Sequence, residues 1–257
     1  MGSISLIQGL LIALYGFIMG LDDRFEFALI NRPLPAAAAV GIILGDPATG
    51  CIVGGLAELA FTGLTPMGGA DIPNGTMTGV MSAFLAITMN LAATEAFSLS
   101  LPFGYLMQYV HILRKTFCTI FNPISDRIAE TGNVNKMVRL HCGVLCLNGL
   151  IFAVSMFLCT YAAQDLILVV VEKIPEVIVH GLNVGGGLMP AIGFSMMLSM
   201  VYKTKYLPYL IVGFVAASFI DYATILPVAA IGTAIALVMY FNDASKEKKV
   251  GNTNDGI

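Results

Sequence analysis

Apolar residues run along this chain in long uncharged stretches, at residues 2–21, 72–94, 96–113, 140–164, 177–202 and 222–242. Each approaches the roughly 20 apolar residues that a helix needs to cross a bilayer. A seventh stretch, 206–220, is shorter and crosses only with little tilt or among neighbours. Residues 33–45 and 47–63 are apolar but too short for ordinary spans, so they predict half-helices or re-entrant segments. The pattern predicts an all-α polytopic membrane protein, with about six to eight full spans plus short broken or re-entrant half-helices. Residues 1–242 read as a single transmembrane domain and 243–257 as a polar, mobile tail.

Lysine and arginine orient the crossings. Arg114, Lys115, Arg127, Lys136 and Arg139 crowd one segment, 114–139, which is placed in the cytoplasm as a short helix pair around Thr131-Gly132-Asn133. The next loop holds Asp165, Glu172 and Glu176 against a single Lys173, as an outer loop should. Lys203 and Lys205, then Lys246, Lys248 and Lys249, return the chain and its C-terminus to the inner side. Gly54-Gly55-Leu56 in the first half and Gly186-Gly187-Leu188, followed by Pro190 and Gly193, in the second echo one another. Paired Gly/Pro-interrupted segments suggest two pseudo-repeats, about 1–113 and 140–242, around a midplane site.

Composition agrees: 57% of residues are hydrophobic and only 11% charged, against roughly 25% charged in a soluble domain. A net charge of -3 and the lack of a basic stripe argue against nucleic acid. The N-terminal stretch has no preceding charge and no following cleavage site, so it reads as a retained span. Five scattered cysteines give neither a disulfide framework nor a zinc set; Cys142 and Cys146 share a helix face and read as packing residues. No metal, cofactor or catalytic motif is expected, and any phosphate donor must be another chain.

The chemistry concentrates in residues 44–74, an apolar run that nevertheless carries Asp46, Glu58 and Asp71 among glycines and prolines. A carboxylate at membrane depth costs about 2.5–3.5 kcal/mol on insertion scales and marks a functional site by default. Glu58, with Thr62 one turn on, has two readings. It accepts hydrogen bonds from sugar hydroxyls, or it is a structural acid capping a broken helix. Nearby Thr65, Asp71, Asn74 and Gln108 favour the first, since amides offer donor and acceptor together. Gln108 also reads as a buried interhelical hydrogen bond, and Asp71 as a bystander at the membrane surface. Asp46, before Pro47, reads as a turn residue satisfying backbone amides. Asp22, Asp23, Arg24, Glu26 and Arg32 read as an interfacial loop or an interhelical salt network. Asn183, in a glycine-rich break, is a weaker second-half candidate, and Asp221 most simply faces outer water.

These residues carry a resemblance. Leu44-Gly45-Asp46, Thr49-Gly50, Gly54-Gly55, Glu58 and Gly63 resemble the membrane IIC component of the mannose/fructose/sorbose-type sugar phosphotransferase system. Asn31-Arg32-Pro33, Pro175-Glu176-Val177, Gly181-Leu182-Asn183 and Gly186-Gly187 fit as well. Leu64 to Gly69, Pro73-Asn74, Leu106 to Tyr109 and the terminal Asp255-Gly256-Ile257 look like its galactosamine/N-acetylgalactosamine branch. Pro66 and Asn74 depart from the Asn and Asp of mannose members. The resemblance implies a bacterial inner-membrane subunit that pairs with a IID subunit, with the pairs assembling as a trimer. A cytoplasmic IIB protein, charged by IIA, would pass phosphate from a histidine to the sugar. Glu58, Asn74 and Gln108, and less firmly Asp71, would face that sugar. The rivals are an ion-coupled secondary transporter, with Glu58 and Asp71 carrying protons, and a membrane scaffold or receptor for a phage or bacteriocin.

Overall fold

The first four helices in this chain begin where a proline or a small polar side chain meets an apolar run. The computed structural model describes residues 4–25, 27–64, 72–162, 164, 165, 167, 169, 175–219 and 225–251. Helix α1 (Leu6–Asp22) starts at a capping box: the Ser5 hydroxyl accepts from the Gln8 N–H, and the Gln8 side chain accepts from the Ser5 N–H. Two short helices follow, α2 (Pro33–Leu44) and α3 (Pro47–Phe61), each with proline in its first turn. Proline is tolerated there because that amide has no intrahelical acceptor. Gly45, at φ +93°, ends α2 in the left-handed region that glycine enters without strain.

Helix α4 (Gly75–Met89) is capped by Asn74 and stopped by Asn90 at φ +54°. Helix α5 (Ala93–Cys118) runs through Pro102 into a 3₁₀ turn, Thr119–Phe121, and the short α6 (Asn122–Glu130). Gly132, at φ +64°, turns the chain into α7 (Val134–Phe157), which continues as a π-helical turn, Leu158–Ala162. Beyond lie α8 (Glu176–Val201), a 3₁₀ turn at Thr204–Tyr206, α9 (Leu207–Phe219) and α10 (Ile225–Gly251). No strand occurs among the described residues.

By contact the chain divides into two compact units, Met1–Leu198 and Ser199–Ile257. In the first, α1 packs chiefly on α7, while α2, α3, α4 and α5 pack on one another. Helix α4 is central, with every residue from Thr76 to Ala86 buried. A helix buried all round has no polar face to present, so its Thr78, Ser82 and Thr88 hydroxyls bond carbonyls one turn back. In the second unit α9 and α10 pack together.

Helix α1 also shows what surrounds the protein. Its inner side buries Gly9, Ile12, Gly16 and Met19, yet its outer side exposes Leu10, Leu14 and Ile18. A helix apolar on both sides belongs in lipid. Among the described residues two helical stretches, Val134–Ala162 and Val177–Val201, are long and apolar enough to cross a membrane, and six shorter apolar helices accompany them.

The structure corrects several expectations. The stretch 72–94 forms a helix of only 15 residues, about 22 Å at 1.5 Å per residue, because Asn90 terminates it early. The half-helix lengths expected at 33–45 and 47–63 are observed, at 12 and 15 residues. The glycine-rich break expected around Asn183 does not exist: α8 is continuous, with Pro190 inside it. Arg114, read as a loop cation, is buried within α5 at 5% exposure. The last helix, α10, extends through residues 243–251 of the polar tail, where Lys, Glu and Ala are strong helix formers.

Glycine sets the α1–α7 distance. A Cβ on Gly20 would lie 2.7 Å from the Gly149 Cα and 3.1 Å from the Asn148 carbonyl oxygen. Gly20→Ala is expected to destabilise the fold by about 1–3 kcal/mol in thermal unfolding of the detergent-solubilised protein. Gly143→Ala, on α7 but facing open space, should not lower the melting temperature and should raise it slightly, since alanine favours the helix.

Candidate functional site

The α2–α3 hairpin places Glu58. Gly45-Asp46-Pro47 reverses the chain within a few residues, so the two helices pair in steps outward from the turn. Gly41 meets Gly50, Gly54 meets Ala37, and Leu34 meets Glu58. The close approach needs glycine: a Cβ on Gly41 would sit 2.9 Å from the Gly50 Cα. Asp46 accepts from the Thr49 N–H at 3.1 Å and the Thr49 hydroxyl at 2.6 Å, which is the turn role expected of it.

At the far end of the hairpin, Glu58 Oε2 accepts from the Leu34 N–H at 3.2 Å, and Oε1 lies 3.9 Å from Arg32 Nη1. Leu34 belongs to the first turn of α2, where amides lack intrahelical acceptors. Glu58 therefore caps a broken helix, although the helix is its neighbour and not its own. Its side chain is 29% exposed. A carboxylate offers about four acceptor positions, so this cap leaves capacity for a further donor. The Thr62 hydroxyl donates to the Glu58 main-chain carbonyl, not to the carboxylate.

From Leu34 a chain of contacts leads to the other candidates. Pro33 lies against Gly75 and Gly79 of α4; a Cβ on Gly79 would stand 2.7 Å from the Pro33 carbonyl oxygen. Asn74, next to Gly75, caps α4 by accepting from the Met77 N–H at 2.7 Å. Its own N–H donates to the Gly104 carbonyl of α5 at 3.0 Å. A Cβ on Gly104 would collide with the Thr78 hydroxyl, so glycine is required for α5 to meet Asn74. Gln108, half-buried, follows one turn along α5 on the same face. Glu58, Asn74 and Gln108 are thus linked through α2, α4 and α5. Asp71, with Thr65 and Met67, lies outside the described residues.

Helix α8 backs this arrangement. Gly193 lies against the Leu59 and Ala60 carbonyls at the end of α3 and against Gly63, and Gly186 lies against Ser98 of α5. Arg32, beside Glu58, joins the residues of the region. Its signal was legible in the hairpin: a turn at 45–47 between two short helices puts residues near 33 opposite residues near 58. The charged patch between α1 and α2 resolves into a network. Asp22 accepts from the Phe27, Ala28 and Ile30 amides, and Asp23 from the Asn31 side chain at 2.7 Å.

The fold is that of an all-helical membrane protein in which a hairpin of two short helices carries Glu58 at its open end and packs against the Asn74-capped start of α4. The family model described as the PTS (phosphotransferase system) sorbose-specific IIC component matches residues 6–238. The chain belongs to this family of sugar-system IIC membrane components. It is 38% identical over 248 residues to the N-acetylgalactosamine permease IIC component 1 of Escherichia coli (strain K12), spanning 96% of this chain and 93% of that one. A solved structure titled only as a membrane protein matches with TM-score 0.83 at 27% identity, over 93% of this chain and 97% of the other. A chain from the cryo-EM structure of the mannose transporter ManYZ with microcin E492 matches with TM-score 0.59 at 27% identity, over 94% and 97%.

The Asn74 cap is separable from any ligand role. Asn74→Ala should destabilise the protein by about 1 kcal/mol through loss of the Met77 N–H acceptor. Asn74→Asp, which keeps that oxygen, should melt close to wild type when both are followed by thermal unfolding.

Proposed function

We propose that this chain is the sugar-binding and translocating subunit of a PEP-dependent phosphotransferase system that imports N-acetylgalactosamine or galactosamine. The observation that carries the sugar class is the 38% identity, over nearly the full length of both chains, to an N-acetylgalactosamine permease IIC component. In this reading Glu58, Asn74 and Gln108 face the sugar, with Asp71 beside them. The carboxylate accepts from hydroxyls, and the amides serve hydroxyls that both donate and accept. A neutral sugar needs no ion-coupling site, because phosphorylation traps it inside.

Arg32 bears on which sugar. Its guanidinium already stands 3.9 Å from Glu58, so the carboxylate has a counter-charge without the ammonium of free galactosamine. That favours the neutral N-acetyl form. The subunit works with a IID partner, as a trimer of IIC–IID pairs, in the bacterial inner membrane with its C-terminus in the cytoplasm. IIB, charged by IIA, delivers the phosphoryl group from a histidine to a sugar hydroxyl. Six to eight crossings remain the topology that the apolar pattern supports.

Uptake of labelled N-acetylgalactosamine into vesicles tests the reading. Sugar phosphate is the expected internal product, and none should form without IIB; free sugar accumulating with a proton gradient alone would overturn it. Glu58→Gln should abolish or sharply weaken uptake with normal assembly, and unchanged uptake would remove Glu58 from the site. Gln108→Ala should weaken binding less, by about 0.5–1.5 kcal/mol for one neutral hydrogen bond.

A further inference from the structure

Away from the proposed sugar site, a buried polar cluster joins three helices. Arg114 of α5 donates to the Asn148 side-chain carbonyl of α7 at 2.7 Å. The Asn148 amide donates to the Gly20 carbonyl of α1 and, at 3.3 Å, to Asp23 Oδ2. Arg114 Nη1 itself stands 3.9 Å from that same oxygen. Arg114 and Asn148 are 5% and 2% exposed. Burying a charge is costly unless it is paired and hydrogen-bonded, so such a cluster either holds the fold or holds something the fold must aim.

What it holds is on the page. Asp23 uses its other oxygen, Oδ1, to accept from the Asn31 side-chain amide at 2.7 Å. The Thr76 hydroxyl lies 2.9 Å from the Asn31 main-chain oxygen and 3.1 Å from its side-chain oxygen, its one proton shared between them. Thr76 is in the first turn of α4, two residues from Asn74. Asn31 directly precedes Arg32, which faces Glu58, and Pro33, which packs on Gly75 and Gly79. The α1–α7 pair also meets the α2–α5 group through the apolar core, where Ile12, Met19, Phe152 and Met156 cluster with Val40 and Met81. Among the polar contacts, Asn31 is a joint through which a charged cluster among α1, α5 and α7 reaches both ends of the proposed sugar site.

We propose that Asp23, Arg114 and Asn148 are positioning residues that act through Asn31 and Thr76 to hold Asn74 and the Arg32–Glu58 pair in the register that binds sugar. The role rests on the reading that Glu58 and Asn74 face the sugar. It makes the site depend on a cluster that touches no sugar, and it ties sugar affinity to the packing of α1 against α7.

Binding of labelled N-acetylgalactosamine to the assembled permease in membrane vesicles tests this, with thermal stability measured on the same preparations. Asp23→Asn alters the buried charge and risks the fold, so Asn31→Ala and Thr76→Val are the primary variants. Each should weaken sugar binding about threefold to tenfold, the range for one net hydrogen bond, while Thr76→Ser, which keeps the hydroxyl, binds as wild type. The Asn31→Ala/Thr76→Val double variant should lose no more than either single one, because both cut the same relay. Lowered melting temperature with wild-type affinity, or losses that simply add, would overturn the positioning role. Glu58→Gln separates the two ideas: lost binding there with wild-type affinity in Asn31→Ala and Thr76→Val sinks the relay alone. Wild-type affinity in Glu58→Gln sinks the site and the relay with it.

Discussion

A helix start leaves amides without intrahelical acceptors, and in apolar surroundings no water is at hand to take them. The first half of this chain multiplies that problem by building short helices. Each start is met by one polar side chain: Asp46 for α3, Glu58 for α2 and Asn74 for α4. These three polar residues, which look out of place in an apolar sequence, answer this one constraint. Loss of any of them would leave a helix-start amide without its protein acceptor, at a cost of about 1 kcal/mol.

The same constraint explains why a solute site would form here. Caps cluster where helix ends cluster, and the α2–α3 hairpin brings its open end against the start of α4. Glycines at 41, 50, 54, 79 and 104 let these backbones approach within what a side chain would forbid. The result is a small region where acceptors and amides are held by backbone geometry instead of by long flexible side chains. A hydroxyl-rich guest binds best to groups already in place, since ordering them on binding would subtract from affinity. Capping and recognition are compatible because a carboxylate or a carboxamide has more hydrogen-bonding positions than one amide uses.

Charge is handled differently. Asp22, Asp23 and Arg114 sit at a junction of helices, where Asp22 alone takes three backbone amides. Here the polar groups organise a loop instead of capping a helix, and that loop sets where α2 begins. The family to which the chain belongs is one of sugar-system membrane components.

Much was legible before any coordinates. Long uncharged runs determined an all-helical membrane protein, because only helices satisfy their own backbone in lipid. Proline and glycine at 33, 45 and 47 marked the short hairpin, since both residues act locally on φ. The turn role of Asp46 was equally local. What remained hidden depends on which surfaces meet. That Arg114 is a buried node requires α5 to lie beside α1 and α7, far off in sequence, and that Glu58 caps α2 and meets Arg32 requires the hairpin to close with those faces together. The unbroken α8 shows the same limit: glycines and a proline that weaken an isolated helix are tolerated where Gly193 packs against α3 and Gly186 against α5. Local residues decided where the chain bends, and only packing decided what each polar side chain does after the bend.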